Sequence, residues 1–335
     1  MTRELLIVGF QGGTHIGGSL ARAADRLHIS NMFVDASRSF DGPRLLRATN
    51  WRLRGHRPLR LQSFSRGVLA ACERVRPRWL LATGMAPIDA AALAEIGRLG
   101  TRRVVFITDD PWNPTVRSSW FFDALRHYDD VFTPRSANLG DLVRHGCPRV
   151  RYLPFGFDPE LSFREEPQTE QEWRTLTADV AFVGGADVDR VPYIGALIRA
   201  GLRVNVYGGY WNNYPQARRS YKGHADVATV RKATSAAAVA LCLVRRANRD
   251  GHVMRSFEIP AMGGCMLVED TDEHRALFGA PGEAVVTFSG IKDMVERVRG
   301  LLDAPAERRR LARAGFEIVH SGHHTYADRL ETMLA

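Results

Sequence analysis

The sequence predicts an α/β protein built from two tandem, doubly wound parallel sheets. Three observations carry this reading. Short unbroken apolar runs alternate with helical stretches, and a run that is apolar at every position marks a strand covered on both faces. The alternation stops once, over an acidic, proline-punctuated segment, and then restarts. The length, 335 residues, suits about two ordinary domains.

Leu5-Leu6-Ile7-Val8 is an apolar run stopped by Gly9 and reads as the first buried strand. Residues 11–18 are glycine-rich, and a helix is expected over 19–27. Met32–Val34, Trp79–Ala82, Val104–Ile107, Asp130–Thr133 and Val150–Leu153 supply the other strands, with helices near 61–75, 87–98, 117–126 and 136–145. Pro154, Gly156, Pro159 and Pro167, with Glu165, Glu166, Glu170 and Glu172, make 157–177 read as a linker. Val180–Val183 then runs into Gly184-Gly185, a helix is expected over 189–200, and Arg203–Tyr207 ends at Gly208-Gly209. Val239–Val244, Cys265–Val268 and Ala284–Phe288 complete the second set, with a helix at 253–262 and helix through the last 45 residues. The expected domains are 1–156 and 178–320, and 321–335 is a final helix packing back on the first. Sheets of this kind bind ligands outside the carboxyl ends of their strands, so a cleft between two facing sheets is the expected site.

Composition narrows the class. With 45 % apolar and 25 % charged residues the chain is neither disordered nor collagen-like nor a disulfide scaffold. No apolar run reaches the ~20 residues of a membrane-spanning helix, and no leader precedes the first strand, so a cytoplasmic protein is expected. Cys72, Cys147, Cys242 and Cys265 are far apart and show no ligand spacing, which points to free buried thiols, a reducing compartment and no metal site. The net charge of +9 favours anionic partners. All but Lys222, Lys232 and Lys292 of the basic residues are arginine, a bias that also arises from GC-rich coding. Between 44 and 78 ten arginines face one acid, Glu73, with Trp51 among them. That stretch suits an anionic acceptor or a membrane surface, or is a solvated basic face. No nucleic-acid motif accompanies it, so nucleic acid is not expected as partner.

Three segments hold candidate chemistry. Gly9 to Gly18 follows a strand and opens a helix, where Gly12 and Gly13 would let backbone approach an anion. A tight turn is the alternative. His15 in this loop has no apolar face to pack into, and reads as a substrate contact or a cap. Asp109-Asp110-Pro111 follows Val104–Ile107, where one carboxylate of the pair could act as general base; Asp before Pro is also an ordinary turn former. In Asp250–Gly264, Asp250-Gly251 can cap a helix starting near 252, and Val253, Phe257 and Ala261 form its buried stripe. Arg255 and Glu258 share another face. Arg255 would meet a diphosphate and Glu258 two ribose hydroxyls, or the two form an ion pair on a solvated face.

The pattern Arg255, Phe257, Glu258, Ala261 and Gly263 or Gly264 resembles the glycosyltransferase group 1 domain of the CgeB-like spore-maturation proteins. Ala181–Gly184, Val206–Gly208, Phe132–Pro134 and Leu153–Asp158 are similar too, so the resemblance spans about 100–335. It implies the GT-B fold of two Rossmann-like domains and a hexosyltransferase-type enzyme. That enzyme would move a sugar from a nucleotide-diphosphate donor to an acceptor hydroxyl, without metal or resident cofactor. The implied donor contacts are Gly12, Gly13, Gly184, Gly185, Tyr207, Gly208, Asp250, His252, Arg255 and Glu258; His15, Asp109 or Asp110 would be the base. Glu258 matches the second of two glutamates that many retaining relatives carry. Asp250 stands near the first in a shifted register, which leaves the stereochemical course open. A nucleotide-sugar epimerase or a non-catalytic nucleotide or nucleic-acid binder of the same fold are the competing readings.

Overall fold

The computed structural model describes residues 4–335 and contains two parallel sheets. The first is made of β1 (Leu5–Gly9), β2 (Asn31–Asp35), β3 (Trp79–Thr83), β4 (Arg102–Phe106), β5 (Asp130–Thr133) and β6 (Val150–Tyr152), in the order β2-β1-β3-β4-β5-β6. The second is made of β7 (Ala178–Val183), β8 (Val204–Tyr207), β9 (Ala237–Cys242), β10 (Met266–Glu269) and β11 (Val286–Phe288), in the order β11-β10-β9-β7-β8. Every pairing is parallel. The chain reverses its direction of travel across each sheet once, between β1 and β3 and between β7 and β9, and these switch points are where such sheets open a crevice.

The apolar runs became strands because helices cover both faces. β1, β3 and β7–β10 bury nearly every side chain, and their cores form two separate clusters. One joins Leu6, Leu80, Val105 and Val131 to Val68, Leu93 and Phe121; the other joins Val180, Val206, Leu241 and Leu267 to Ile194, Met294 and Val298. The four cysteines are buried and form no disulfide.

The chain divides into two compact units, one of Met1–Pro154, Ala247–Arg249 and Tyr326–Ala335, the other of Phe155–Arg246 and Asp250–Thr325. The final helix Tyr326–Leu334 thus belongs to the first unit, where Arg329 Nε donates to the Pro154 carbonyl at 2.9 Å. The segment expected as a linker, 157–177, lies within the second unit. It folds into the helix Glu170–Leu176, capped by Thr169, and is tied to the helix Val227–Ala236 by Glu165 with Arg231 (2.6 Å) and Glu172 with Lys232 (2.5 Å). The acids that made it look like a spacer are the partners of cations some sixty residues downstream. Three further helices, Arg44–Leu53, Val227–Ala236 and Asp272–Phe278, have no counterpart among the expected elements.

Candidate functional site

In the first unit the glycine loop ends β1 beside β3, at the switch point. Its glycines divide by task. A Cβ on Gly9 would come within 2.2 Å of Thr83 Oγ1, and one on Gly17 within 2.8 Å of the Phe10 carbonyl, so these two permit close packing of strand on helix. Gly12 and Gly13 adopt φ of 91° and 51° with nothing within 4 Å of their Cβ positions; the loop backbone there faces open space. His15 is the residue before the helix Ile16–Arg26, makes no side-chain cap bond, and is exposed beside the Phe10 ring. A cavity of about 510 Å³ adjoins this loop, lined by Gln11, Val34, Asp35, Arg38, Arg60, Phe64 and Arg74 among others.

The acidic pair after β4 separates in the same unit. Asp110, 1 % exposed, takes a two-pronged contact from Arg249 (2.5 and 3.0 Å) and further bonds from Asn138 Nδ2 (2.8 Å) and the Trp112 N–H (3.0 Å). Its oxygens are occupied in holding loops together, which removes it as a general base. Arg249 also bonds Asp141 at 2.7 Å, and the two carboxylates push its guanidinium pKa up. Asp109 is half-buried and accepts one bond, from Asn248 Nδ2 at 3.1 Å. Asn248 itself accepts from Asn113 Nδ2 at 2.7 Å.

At the strand ends of the second unit, Gly184 and Gly208 meet backbone to backbone. A Cβ on Gly208, whose φ is 130°, would lie 2.4 Å from the Gly184 carbonyl oxygen. That oxygen accepts from Trp211 Nε1 (2.7 Å), and the Ala186 N–H donates to the Gly209 carbonyl (2.9 Å). Gly185 has only an ordinary contact to the Gly209 carbonyl, at 3.7 Å. Tyr207, expected to touch the nucleotide, is 2 % exposed and packs with Leu176, Ala233 and Ala236 against the helices; burial pushes its phenol up to about 12. Alternation along β8 turns it away from the strand end. The exposed ring is Tyr210, 71 % accessible at a φ of 69°.

The segment after β9 departs from expectation at its start. The helix runs over Arg255–Ala261, with Met254 and not Asp250 before it, and Asp250 accepts from the Arg245 N–H at 3.3 Å. His252 is fully buried. Its Nε2 accepts from the Phe155 N–H (3.1 Å), which puts the proton on Nδ1, bonded to Glu273 (2.6 Å). With both ring nitrogens engaged by protein it pins this loop to Phe155 and is not offered to a ligand. Ser256, one position past Arg255, bonds His274 Nε2 (2.8 Å), whose Nδ1 donates to the Glu269 carbonyl (2.8 Å). Burial lowers the His274 pKa to about 4.

Arg255 and Glu258 do form an ion pair, but not on a solvated face: their side chains are 20 % and 6 % exposed. Arg190 and Arg245, which the sequence reading did not select, complete the local charge. Arg190 spans the switch point, donating to the carbonyls of Gly185 (3.3 Å) and Leu243 (3.1 Å), and burial with the neighbouring Arg245 lowers its pKa. It lies seven residues past the end of β7. Glu269, its pKa raised by burial, holds Arg246 at 3.0 Å. Among the described residues no group of three or more His, Cys, Asp or Glu is arranged to hold a metal ion, and no helix is long and apolar enough to cross a membrane.

Comparison with known proteins adds the family context. Residues 191–335 match the model of a family described as "Glycosyl transferase-like". A search of curated proteins finds no matching sequence. Among solved structures, sucrose-phosphate synthase from Thermosynechococcus elongatus superposes with a TM-score of 0.65 at 13 % identity, covering 100 % of this chain and 98 % of that one. HepE of Anabaena, in complex with UDP-glucose, gives 0.66 at 11 % identity, covering 100 % and 99 %. A putative UDP-N-acetylglucosamine 2-epimerase from Listeria monocytogenes gives 0.57 at 12 %, covering 100 % and 96 %. The chain therefore has the GT-B fold of two Rossmann-like units, and its residues 191–335 match the glycosyl transferase-like family.

Proposed function

We propose that the protein is a glycosyltransferase of hexosyltransferase type, carrying a sugar from a nucleotide-diphosphate donor to an acceptor hydroxyl without a metal or resident cofactor. The observation that carries the reading is the buried Arg255–Glu258 pair within the segment that matches the glycosyl transferase-like family. A buried ion pair is a poor way to gain stability, because desolvation offsets most of the Coulomb attraction. Two such charges beside a strand end are better accounted for by a charged, hydroxyl-bearing ligand. The CgeB-like pattern from Arg255 to Gly264, and the UDP-glucose that the HepE structure is described as holding, support the same reading.

In this reading Arg255 meets the diphosphate and neutralises charge on the leaving group. Glu258 accepts from the ribose hydroxyls, Gly185 lets backbone come close to the donor, and Asp250 borders the sugar. Tyr210, in place of Tyr207, offers the ring for stacking the base. His15 is the proposed general base, with Asp109 second. The open backbone at Gly12 and Gly13 lies next to His15, and the cavity bearing Arg38, Arg60 and Arg74 fits an acceptor with an anionic group.

The test is incubation with a panel of nucleotide sugars, with and without EDTA, while free nucleoside diphosphate is followed. A transferase releases it slowly even to water. An epimerase returns an altered nucleotide sugar with no free diphosphate, and a binding protein does neither. Glu258→Gln should weaken nucleotide binding about tenfold, from loss of bonds worth about 1.5–3 kcal/mol to a charged group. Unchanged affinity by calorimetry, in a variant that melts normally, would remove Glu258 from the site.

A further inference from the structure

The helix Arg44–Leu53 buries none of its residues. Leu45 is 82 % exposed, Leu46 57 % and Leu53 79 %. At helical periodicity Leu46 and Leu53 lie over one another with Thr49 between and Leu45 alongside. The opposite flank carries Trp51, whose ring packs with His56 and Phe40 at centroid separations of 4.9 and 6.1 Å. Asn50 Nδ2 also donates to the Arg57 carbonyl, at 2.5 Å. The helix is thus anchored from one side and shows its leucines on the other. Arg44, Arg47 and Arg52 lie on the same helix and Arg54 follows it, and all four are exposed. Among the described residues none of these four guanidinium groups makes an ion pair or hydrogen bond.

We propose that this helix lies flat in the surface of an anionic lipid bilayer, its leucines at the acyl boundary and its arginines on lipid phosphates. The combination of a solvent-facing apolar ridge with an arginine-rich margin is what an interfacial helix needs. Charge complementarity favours the occupant: the exposed arginines of this helix sit in a stretch with ten arginines against Glu73 between 44 and 78, which suits an anionic surface. A nucleic acid would satisfy the arginines and leave the leucines in water. A bilayer satisfies both at once. The inference stands on this helix alone and not on the sugar-transfer reading.

The full chain is mixed with phosphatidylcholine vesicles, with or without phosphatidylglycerol, and separated by flotation. Binding should need phosphatidylglycerol and fall as salt rises. The triple variant Leu45→Ser, Leu46→Ser, Leu53→Ser should bind roughly tenfold or more weakly, and Arg47→Glu with Arg54→Glu comparably so. All five side chains are exposed, so the melting temperature should not move; a variant that melts early is replaced by the single change Leu53→Ser, expected to weaken binding severalfold. The proposal is overturned if the wild type ignores phosphatidylglycerol vesicles, if the leucine variants bind as well as the wild type, or if RNA competes the chain off the vesicles in the leucine variants and the wild type alike.

Discussion

Each unit has a glycine-rich region at its strand ends, after β1 in the first and after β7 and β8 in the second, and the two differ in physical character. After β1, Gly12 and Gly13 hold left-handed backbone in open space, with exposed His15 beside them. After β7 and β8, Gly184 and Gly208 are pressed backbone on backbone, and buried Arg190 and Trp211 tie the same turns. The same residue type thus serves an open stretch of loop at Gly12 and Gly13 in one unit and closely packed turns at Gly184 and Gly208 in the other. In the closed loop the space for a ligand is set by the packing, so substitutions there should act first on stability. In the open loop they should act on what the loop contacts.

The largest effect should come from Gly208→Ala. The new methyl group meets the Gly184 carbonyl at 2.4 Å and the backbone φ is 130°, so destabilisation of about 3 kcal/mol or more is expected. A thermal midpoint close to that of the wild type would show that the two turns can part.

Next in size is a pH effect in the same unit. The folded state keeps His274 neutral down to a pKa of about 4, whereas the unfolded chain takes up the proton near pH ~6.5. Acid therefore favours unfolding. Stability is fully present above pH ~6.5 and is lost as the pH falls towards 4, by up to about 3 kcal/mol. Denaturant midpoints measured across this range should slope for the wild type and flatten for His274→Gln.

The first unit offers a smaller test on adjacent residues. Arg249→Ala removes the two-pronged partner of buried Asp110 but leaves the bonds from Asn138 and Trp112, so a loss of about 2 kcal/mol is expected. Asp109→Asn should change stability by no more than about 0.5 kcal/mol. If instead it costs as much as Arg249→Ala, the distinction drawn between the two acids fails. In the open glycine loop, Gly12→Ala should cost about 1 kcal/mol, from the left-handed backbone alone. Should that variant lose turnover with little loss of stability, the open loop touches substrate.

The sequence by itself determined the strands and the class of fold. Runs such as Leu5–Val8 and Val180–Val183 are apolar at every position, and only a sheet covered on both faces accommodates that. It also marked the two loops with glycine, and the segment from Arg255 to Gly264. What it could not decide is which side chains face each strand end. Tyr207 and Tyr210 differ by three positions, and strand alternation followed by a turn with positive φ at Gly208 and Tyr210 leaves the first among the helices and the second in solvent. Nor could it separate Asp109 from Asp110, because the group that occupies Asp110 is Arg249, 139 residues along the chain. The same distance in sequence hid the role of Glu165 and Glu172, whose partners Arg231 and Lys232 made a bound segment of an apparent linker. The helix Arg44–Leu53 escaped detection because its leucines do not form a buried stripe. Local pattern reports how much a residue is to be buried, while the partner that neutralises a charge or closes a loop is brought in by the tertiary fold from far along the chain.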